Sequence, residues 1–232
     1  MPEITATSHS ILEPALAELA AGNAAAPSGA NSLQLAEAPP TVKVIVRGLE
    51  PLEALDRVLE PILGTRLDDC PNKVAIGQDC RVFWQRVNQW LVIVEPIAES
   101  GRGRDLVRSL EQALTGFDSS VVDVSDYYTV LELTGTRARD VLMKGCPFDL
   151  RRSVFPAGAM ALTRMAQADV LLHPRPSHSP DNDGLDVLVR SSFAEYALRW
   201  LHDAGLEYGI TIVPAPDRFP DPPTIETNGV DS

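Results

Sequence analysis

The sequence predicts an α+β fold of two mixed α/β halves with antiparallel sheets, on three observations. Apolar residues repeat every second position in some stretches and at helical spacing in others, and the two patterns alternate along the chain. Strand-like runs lie next to one another across short turns, which pairs them antiparallel. No apolar run approaches the roughly 20 residues of a transmembrane helix. Strands and helices mixed within each half make a layered fold, and a split β-α-β arrangement suits the halves. No strict repeat relates them.

The elements follow in chain order. Residues 1–40 hold eleven Ala, four Glu and no Lys or Arg, with Ala24-Ala25-Ala26-Pro27-Ser28-Gly29 in the middle. Leu12, Leu16 and Leu19 share a face of a short helix there, and the remainder is expected to be a flexible, acidic arm. Val42, Val44 and Val46 alternate as in a half-buried strand. Pro51 opens a helix carrying Leu52, Leu55, Val58, Leu59 and Ile62, which Pro61 is expected to end or kink near Glu60. Residues 80–86 and 89–95 form two strands around a tight Val87-Asn88 turn. Leu106, Val107, Leu110 and Leu114 mark a helix ending before Gly116.

The second half repeats the theme. Tyr128 to Leu133 is a strand, Gly135 a turn, and Thr136 to Met143 a helix. Met160 to Met165, Ala168 to His173 and the alternating Leu185, Val187 and Val189 are further strands. Ser192 and Glu195 form an S-x-x-E capping box for a helix that buries Phe193, Tyr196, Ala197 and Trp200 and ends at Gly205. Tyr208 to Val213 is the last strand. Residues 214–232, with five Pro and four acids, form a Pro-rich acidic tail. The expected domain is therefore 41–213, in halves of about 41–116 and 117–213. Its 173 residues suffice to bury about 70% of the unfolded surface.

Charge excludes several functions. The 232 residues carry 32 acids against 20 bases, a net −12. The two tails hold −4 and −3 of it, leaving −5 on the body. That field disfavours nucleic acid and anionic membranes. The three cysteines, Cys70, Cys80 and Cys146, include no C-x-x-C pair. The start lacks a basic n-region and an apolar h-region, so the cytoplasm is expected.

A search for chemistry returns no complete constellation. Gly101-Arg102-Gly103-Arg104 has Leu106 where a dinucleotide fingerprint wants a third Gly, and Asp105 would repel a phosphate, so it is expected to be a loop. His173 and His178 fall in a Pro-rich segment read as a surface loop, without ligands at zinc spacing. His9 stands alone near the start, and His202 suits a helix C-terminus. Cys146 follows a helix end, which does not lower a thiol pKa, so a small buried hydrophobe is expected. Asp123, Asp126, Asp140 and Asp149 suit turn bonds better than acid–base work. Trp84 and Trp90 fit either a core or an interface. No catalytic, cofactor-binding or metal-ligating residue is predicted.

One family pattern runs through the middle of the chain. Val122-Asp123-Val124-Ser125-Asp126, then Leu131-Glu132-Leu133-Thr134-Gly135-Thr136-Arg137, then Lys144-Gly145-Cys146-Pro147-Phe148-Asp149-Leu150 resemble the gamma subunit of heterotetrameric sarcosine oxidase. Val154-Phe155-Pro156-Ala157-Gly158, Leu188-Val189-Arg190-Ser191-Ser192-Phe193 and Trp84 to Leu91 continue the order over about residues 41–205. The resemblance implies a fold like the folate-binding domain of the glycine cleavage T-protein and the N-terminal domain of a tRNA-modifying GTPase. It implies a non-catalytic subunit that packs mainly on the large alpha subunit, with beta and delta alongside. FAD, FMN, NAD, tetrahydrofolate and zinc are then expected in those partners. Trp84, Trp90, Asp123, Ser125, Gly135, Gly145, Cys146, Asp149 and Gly158 are its signature or interface candidates. The same subunit in an enzyme for another N-methyl amine is an alternative. So is a stand-alone folate-binding aminomethyltransferase-like or iron–sulfur assembly protein.

Overall fold

Two sheets lie face to face in a computed structural model, each with helices on its outer side. The structure describes residues 10–22, 33–67, 69–94, 102–175 and 184–213. The chain runs α1 (Glu13–Gly22), β1 (Leu33–Glu37), β2 (Lys43–Gly48), α2 (Leu52–Leu63), β3 (Val74–Ile76), β4 (Cys80–Arg86), β5 (Gln89–Val94) and α3 (Arg102–Ala113). It continues through β6 (Ser119–Asp123), β7 (Tyr128–Thr134), α4 (Ala138–Met143), β8 (Ala161–Met165), β9 (Ala168–Pro174), β10 (Gly184–Arg190), α5 (Ala194–Gly205) and β11 (Ile210–Ile212).

The smaller sheet has the order β3-β4-β5-β2-β6 and the larger β11-β1-β7-β10-β9-β8. Every pairing is antiparallel except β1 with β11. Side-chain alternation divides each strand between two layers. On the small sheet, Val44, Val46, Val82, Trp90 and Val92 point outward beneath Leu55, Leu59 and Leu63 of α2 and Leu110 of α3. On the large sheet, Leu35, Leu131, Leu133, Val187 and Leu172 point outward beneath α1, α4 and α5. The opposite faces meet in a third core, where Phe83, Leu91 and Ile93 pack on Met160, Leu171 and Leu188. Every residue of β5 is consequently buried, and all of β10 except Arg190.

The expected β4–β5 hairpin is present, and Asn88 turns it at φ +60, a conformation Asn tolerates. Gly64, which the sequence reading did not single out, caps α2 at φ +70 and donates its N–H to the Glu60 carbonyl.

Other expectations are corrected. The N-terminal forty residues are not wholly an arm: Leu12 and Leu16 of the first segment are buried, and β1 is inserted between β7 and β11 with Leu33 and Leu35 in the core. Residues 23–32 and the tail from 214 lie outside the described residues, as do His9, Gly101 and His178. The break between halves also moves, because β6 pairs with β2 and so keeps residues up to Asp123 in the small sheet. Pro61 does not end α2, which runs on to Leu63. One turn from a helix end, a missing N–H removes a single bond.

Ser192 caps nothing. A 3-10 turn at Ser191–Phe193 precedes α5, Glu195 pairs with Arg199 instead, and Phe193 and Tyr196 are exposed while Ala194, Ala197, Leu198 and Leu201 are buried. Arg102 and Gly103 are no loop but the first turn of α3, where a Cβ on Gly103 would strike Val42. His173 is fully buried at the end of β9, not on a surface loop.

Candidate functional site

The signature residues do not converge. Trp84 and Trp90 face each other across β4 and β5 on the helix-covered side, where Trp90, only 2% exposed, belongs to the core and Trp84 is half-buried against it. Asp123 and Ser125 shape the crossover from the small sheet to the large one. The Asp123 carboxylate accepts from the Ser125 backbone N–H at 2.9 Å and its hydroxyl at 2.6 Å, while Ser125 Oγ accepts the Lys43 N–H at 3.0 Å. Asp149 similarly accepts the Arg151 N–H at 3.0 Å, and that arginine's hydrogen bonds hold its carboxyl down at about 2.

The glycines serve geometry. Gly135 and Gly158 take φ +123 and +81, and the Gly158 carbonyl accepts the Val74 N–H at 3.2 Å, tying the two sheets together. Gly145 lies under Trp200, where a Cβ would clash with the indole. Cys146 is buried with its Sγ 3.8 Å from Thr163 Oγ1. Each is a turn, a tie or a close approach.

Three other places carry polar or open character. The first is a buried network at one end of the inter-sheet layer. Asp186, 2% exposed, lies 2.7 Å from Arg81 of the small sheet and 3.1 Å from Arg175, which also reaches Glu132 at 2.8 Å. His173 sits beside it, donating from Nδ1 to the Ala159 carbonyl at 2.8 Å and meeting Phe83 edge-on at 5.2 Å. Its Nε2 has no hydrogen-bond partner among the described residues. Burial pushes the His173 pKa down and that of Glu132 up.

The second is a cavity of about 230 Å³ at the crossover, lined by Lys43, Glu37, Ser125, Asp126, Tyr128 and Ser191 among others. Lys43 is 4% exposed, and its ammonium donates to the Thr41 carbonyl at 3.1 Å. Burial lowers its pKa to about 8, against the pull of Asp126, Asp123 and Glu37. Glu37 accepts from the Ser10 hydroxyl, and burial raises its own pKa.

The third is a cleft of about 510 Å³ where the sheets part, between Gln85 of β4 and Leu162, Leu171, Leu188, Arg164 and Arg190 of the large sheet. Its floor is apolar and its rim charged. Sequence reasoning named Ser125 and Asp126 of the second place but assembled none of the three. A local signal for the first was Asp186, a charge inside an otherwise apolar strand.

Among the described residues no group of three or more His, Cys, Asp or Glu side chains could hold a metal ion. Arg81 and Asp186 join the two sheets, and Asp123, Ser125 and Asp149 bond within turns. Half of a much larger protein shares this chain's fold. Glycine cleavage aminomethyltransferase T from Bartonella henselae superposes on 85% of this chain and 50% of its own, with TM-score 0.56 at 13% identity. A chain of the heterotetrameric sarcosine oxidase from Corynebacterium sp. U-96, solved with pyrrole 2-carboxylate, superposes with TM-score 0.73 at 28% identity over 89% of this chain and 98% of that one. Sarcosine oxidase subunit gamma of Arthrobacter sp is 34% identical over 182 residues, 78% of this chain and 84% of that protein. Residues 53–207 match the sarcosine oxidase, gamma subunit family. The chain belongs to that family.

Proposed function

We propose that this chain is the gamma subunit of a cytoplasmic, sarcosine-oxidase-type heterotetramer and contributes shape rather than reactive groups. The complex removes the N-methyl group of sarcosine oxidatively, giving glycine, peroxide and a one-carbon unit passed to tetrahydrofolate. The alpha, beta and delta subunits hold FAD, FMN, NAD, tetrahydrofolate and zinc, and the large alpha subunit is the main contact. The observation that carries the reading is the 98% coverage of a chain from a solved heterotetrameric sarcosine oxidase. The local chemistry agrees with it, since the signature carboxylates and glycines build turns and ties.

Reconstitution tests this reading. The four chains are co-expressed with and without this one, and sarcosine-dependent peroxide formation is measured. The full set is expected to be active and yellow from bound flavin, the isolated chain inactive. Demethylation by the isolated chain, or full activity of a complex lacking it, would overturn the proposal. Heat released on adding tetrahydrofolate to the isolated chain would favour a stand-alone folate protein instead.

A further inference from the structure

The inner face of the large sheet changes character along its strands. Register places Glu132, Asp186 and His173 side by side in one row. The next row on the same face is Val130, Leu188, Leu171 and Leu162, and the one beyond holds Tyr128, Arg190, Asp169 and Arg164. The small sheet covers the first row and most of the second, then diverges. Leu162 is left 51% exposed beside the 510 Å³ cleft, whose floor is the buried Leu171 and Leu188.

The rim above that floor is cationic. Arg190 has no ion pair among the described residues, and its guanidinium lies 6.0 Å over the Tyr127 ring. Among the described residues Arg164 pairs with Asp169 alone, at 3.9 Å, with both side chains mostly exposed. The chain as a whole carries −12. A second copy docked cleft to cleft would set two cationic rims against each other, so that symmetric self-association is disfavoured. An acidic segment of a different chain meets attraction at this rim, and an apolar side chain covers the floor.

We infer that this inter-sheet cleft is a docking site for a partner subunit. It receives a segment that sets a leucine- or phenylalanine-sized side chain on Leu162, Leu171 and Leu188 and carboxylates on Arg164 and Arg190. The inference rests on the subunit reading above, and names the surface through which that assembly is made.

The test uses the full chain co-expressed with its three partner subunits. Flavoprotein recovered with the tagged chain is quantified for wild type, Leu162→Asp and the double variant Arg164→Glu/Arg190→Glu, and each free chain is melted as a folding control. The variants are expected to lose at least about tenfold in recovered flavin, with free-chain melting temperatures close to wild type. Wild type and variants recovering equal flavin would overturn the cleft assignment alone. Wild type recovering none would overturn the subunit reading and this inference together. A variant lacking residues 214–232 is expected to assemble normally. Loss of assembly in it, with the cleft variants still assembling, would assign docking to the acidic tail instead.

Discussion

The layer between the two sheets is built from the same strands at both ends, yet its ends are finished in opposite ways. At one, Arg81 crosses from the small sheet to Asp186, and Arg175 closes the gap toward Glu132. At the other, four residues along the same β4 and β10 strands, Gln85 and Arg190 flank an open cleft. A fold concerned only with its own stability would cover Leu162 at the open end, 51% exposed, as fully as it covers Asp186 at the closed one. An apolar side chain left half in water beside a cleft rimmed by Arg164 and Arg190 suits a face completed by another molecule. The closed end holds the chain together and the open end is free for association, so substitutions should separate the two.

The largest effect is expected at the closed end. Asp186→Ala removes the buried carboxylate shared by Arg81 and Arg175, while Arg175 keeps its pair with Glu132. Breaking a buried pair in this way costs about 3–5 kcal/mol. Because Arg81 and Arg175 are 18% and 31% exposed and regain some water, about 3 kcal/mol is expected in the free chain. Denaturant unfolding of the isolated chain measures it. A loss below about 1 kcal/mol, the range of surface pairs, would show that the end is not sealed by this network.

That network explains how far the sequence was legible. The alternating runs of β2 and β10, the apolar run of β5, and the apolar stripes of α2 and α3 were readable because each is written within a few residues. β1 was not, although Leu33, Leu35 and Glu37 alternate, because an Ala-rich segment precedes it and Pro39-Pro40 follow. Its partners, β7 and β11, lie about a hundred residues and more downstream. Arg81 and Asp186 are 105 residues apart, so nothing local announces that they meet. The capping box at Ser192 was a true local signal that the 3-10 turn overrode. Turn residues such as Asp123, Gly135 and Gly158 were found as a family pattern, but their roles became clear only in three dimensions.

A smaller effect of opposite sign is expected at the crossover. The Lys43 ammonium is buried and its pKa falls from 10.5 to about 8, so below pH 8 the charged form is held in the folded chain at a cost. Lys43→Met removes that cost and should stabilise the free chain by about 1–3 kcal/mol at pH 7. Between pH 8 and 10.5 the folded lysine loses its proton before the unfolded one does. The unfolded state then binds more protons, wild-type stability rises with pH, and the advantage of the variant shrinks. Thermal melts of both chains across that range measure the gap; a gap that widens would mean the amine is favourably held.

His173 gives a gentler dependence at the closed end. Desolvation lowers its pKa below 6.5, so the folded ring stays neutral where the unfolded one takes up a proton. Stability should therefore fall as pH drops below 6.5, with a slope of at most about 1.4 kcal/mol per pH unit. Asp186, Arg81 and Arg175 face the ring, and nearby Glu132, with its raised pKa, pulls the other way above 4.5. Comparing wild type with His173→Gln between pH 5 and 6.5 isolates the ring, because the glutamate contribution is common to both. Parallel curves would mean the histidine is protonated in place.

The smallest effect is the most diagnostic for the open end. Leu162 shares a row with Leu171 and Leu188, but it is 51% exposed where they are 3% and 1%. Truncating a buried leucine costs about 2–5 kcal/mol, whereas a surface substitution stays within about 0.5. Leu162→Ala is expected to fall in the second range in the free chain, despite lying in the strand that edges the sheet. Chemical denaturation of the free chain decides this. A loss as large as that of a core leucine would mean that the small sheet closes over this row in solution, and that both ends of the layer are sealed by the chain itself.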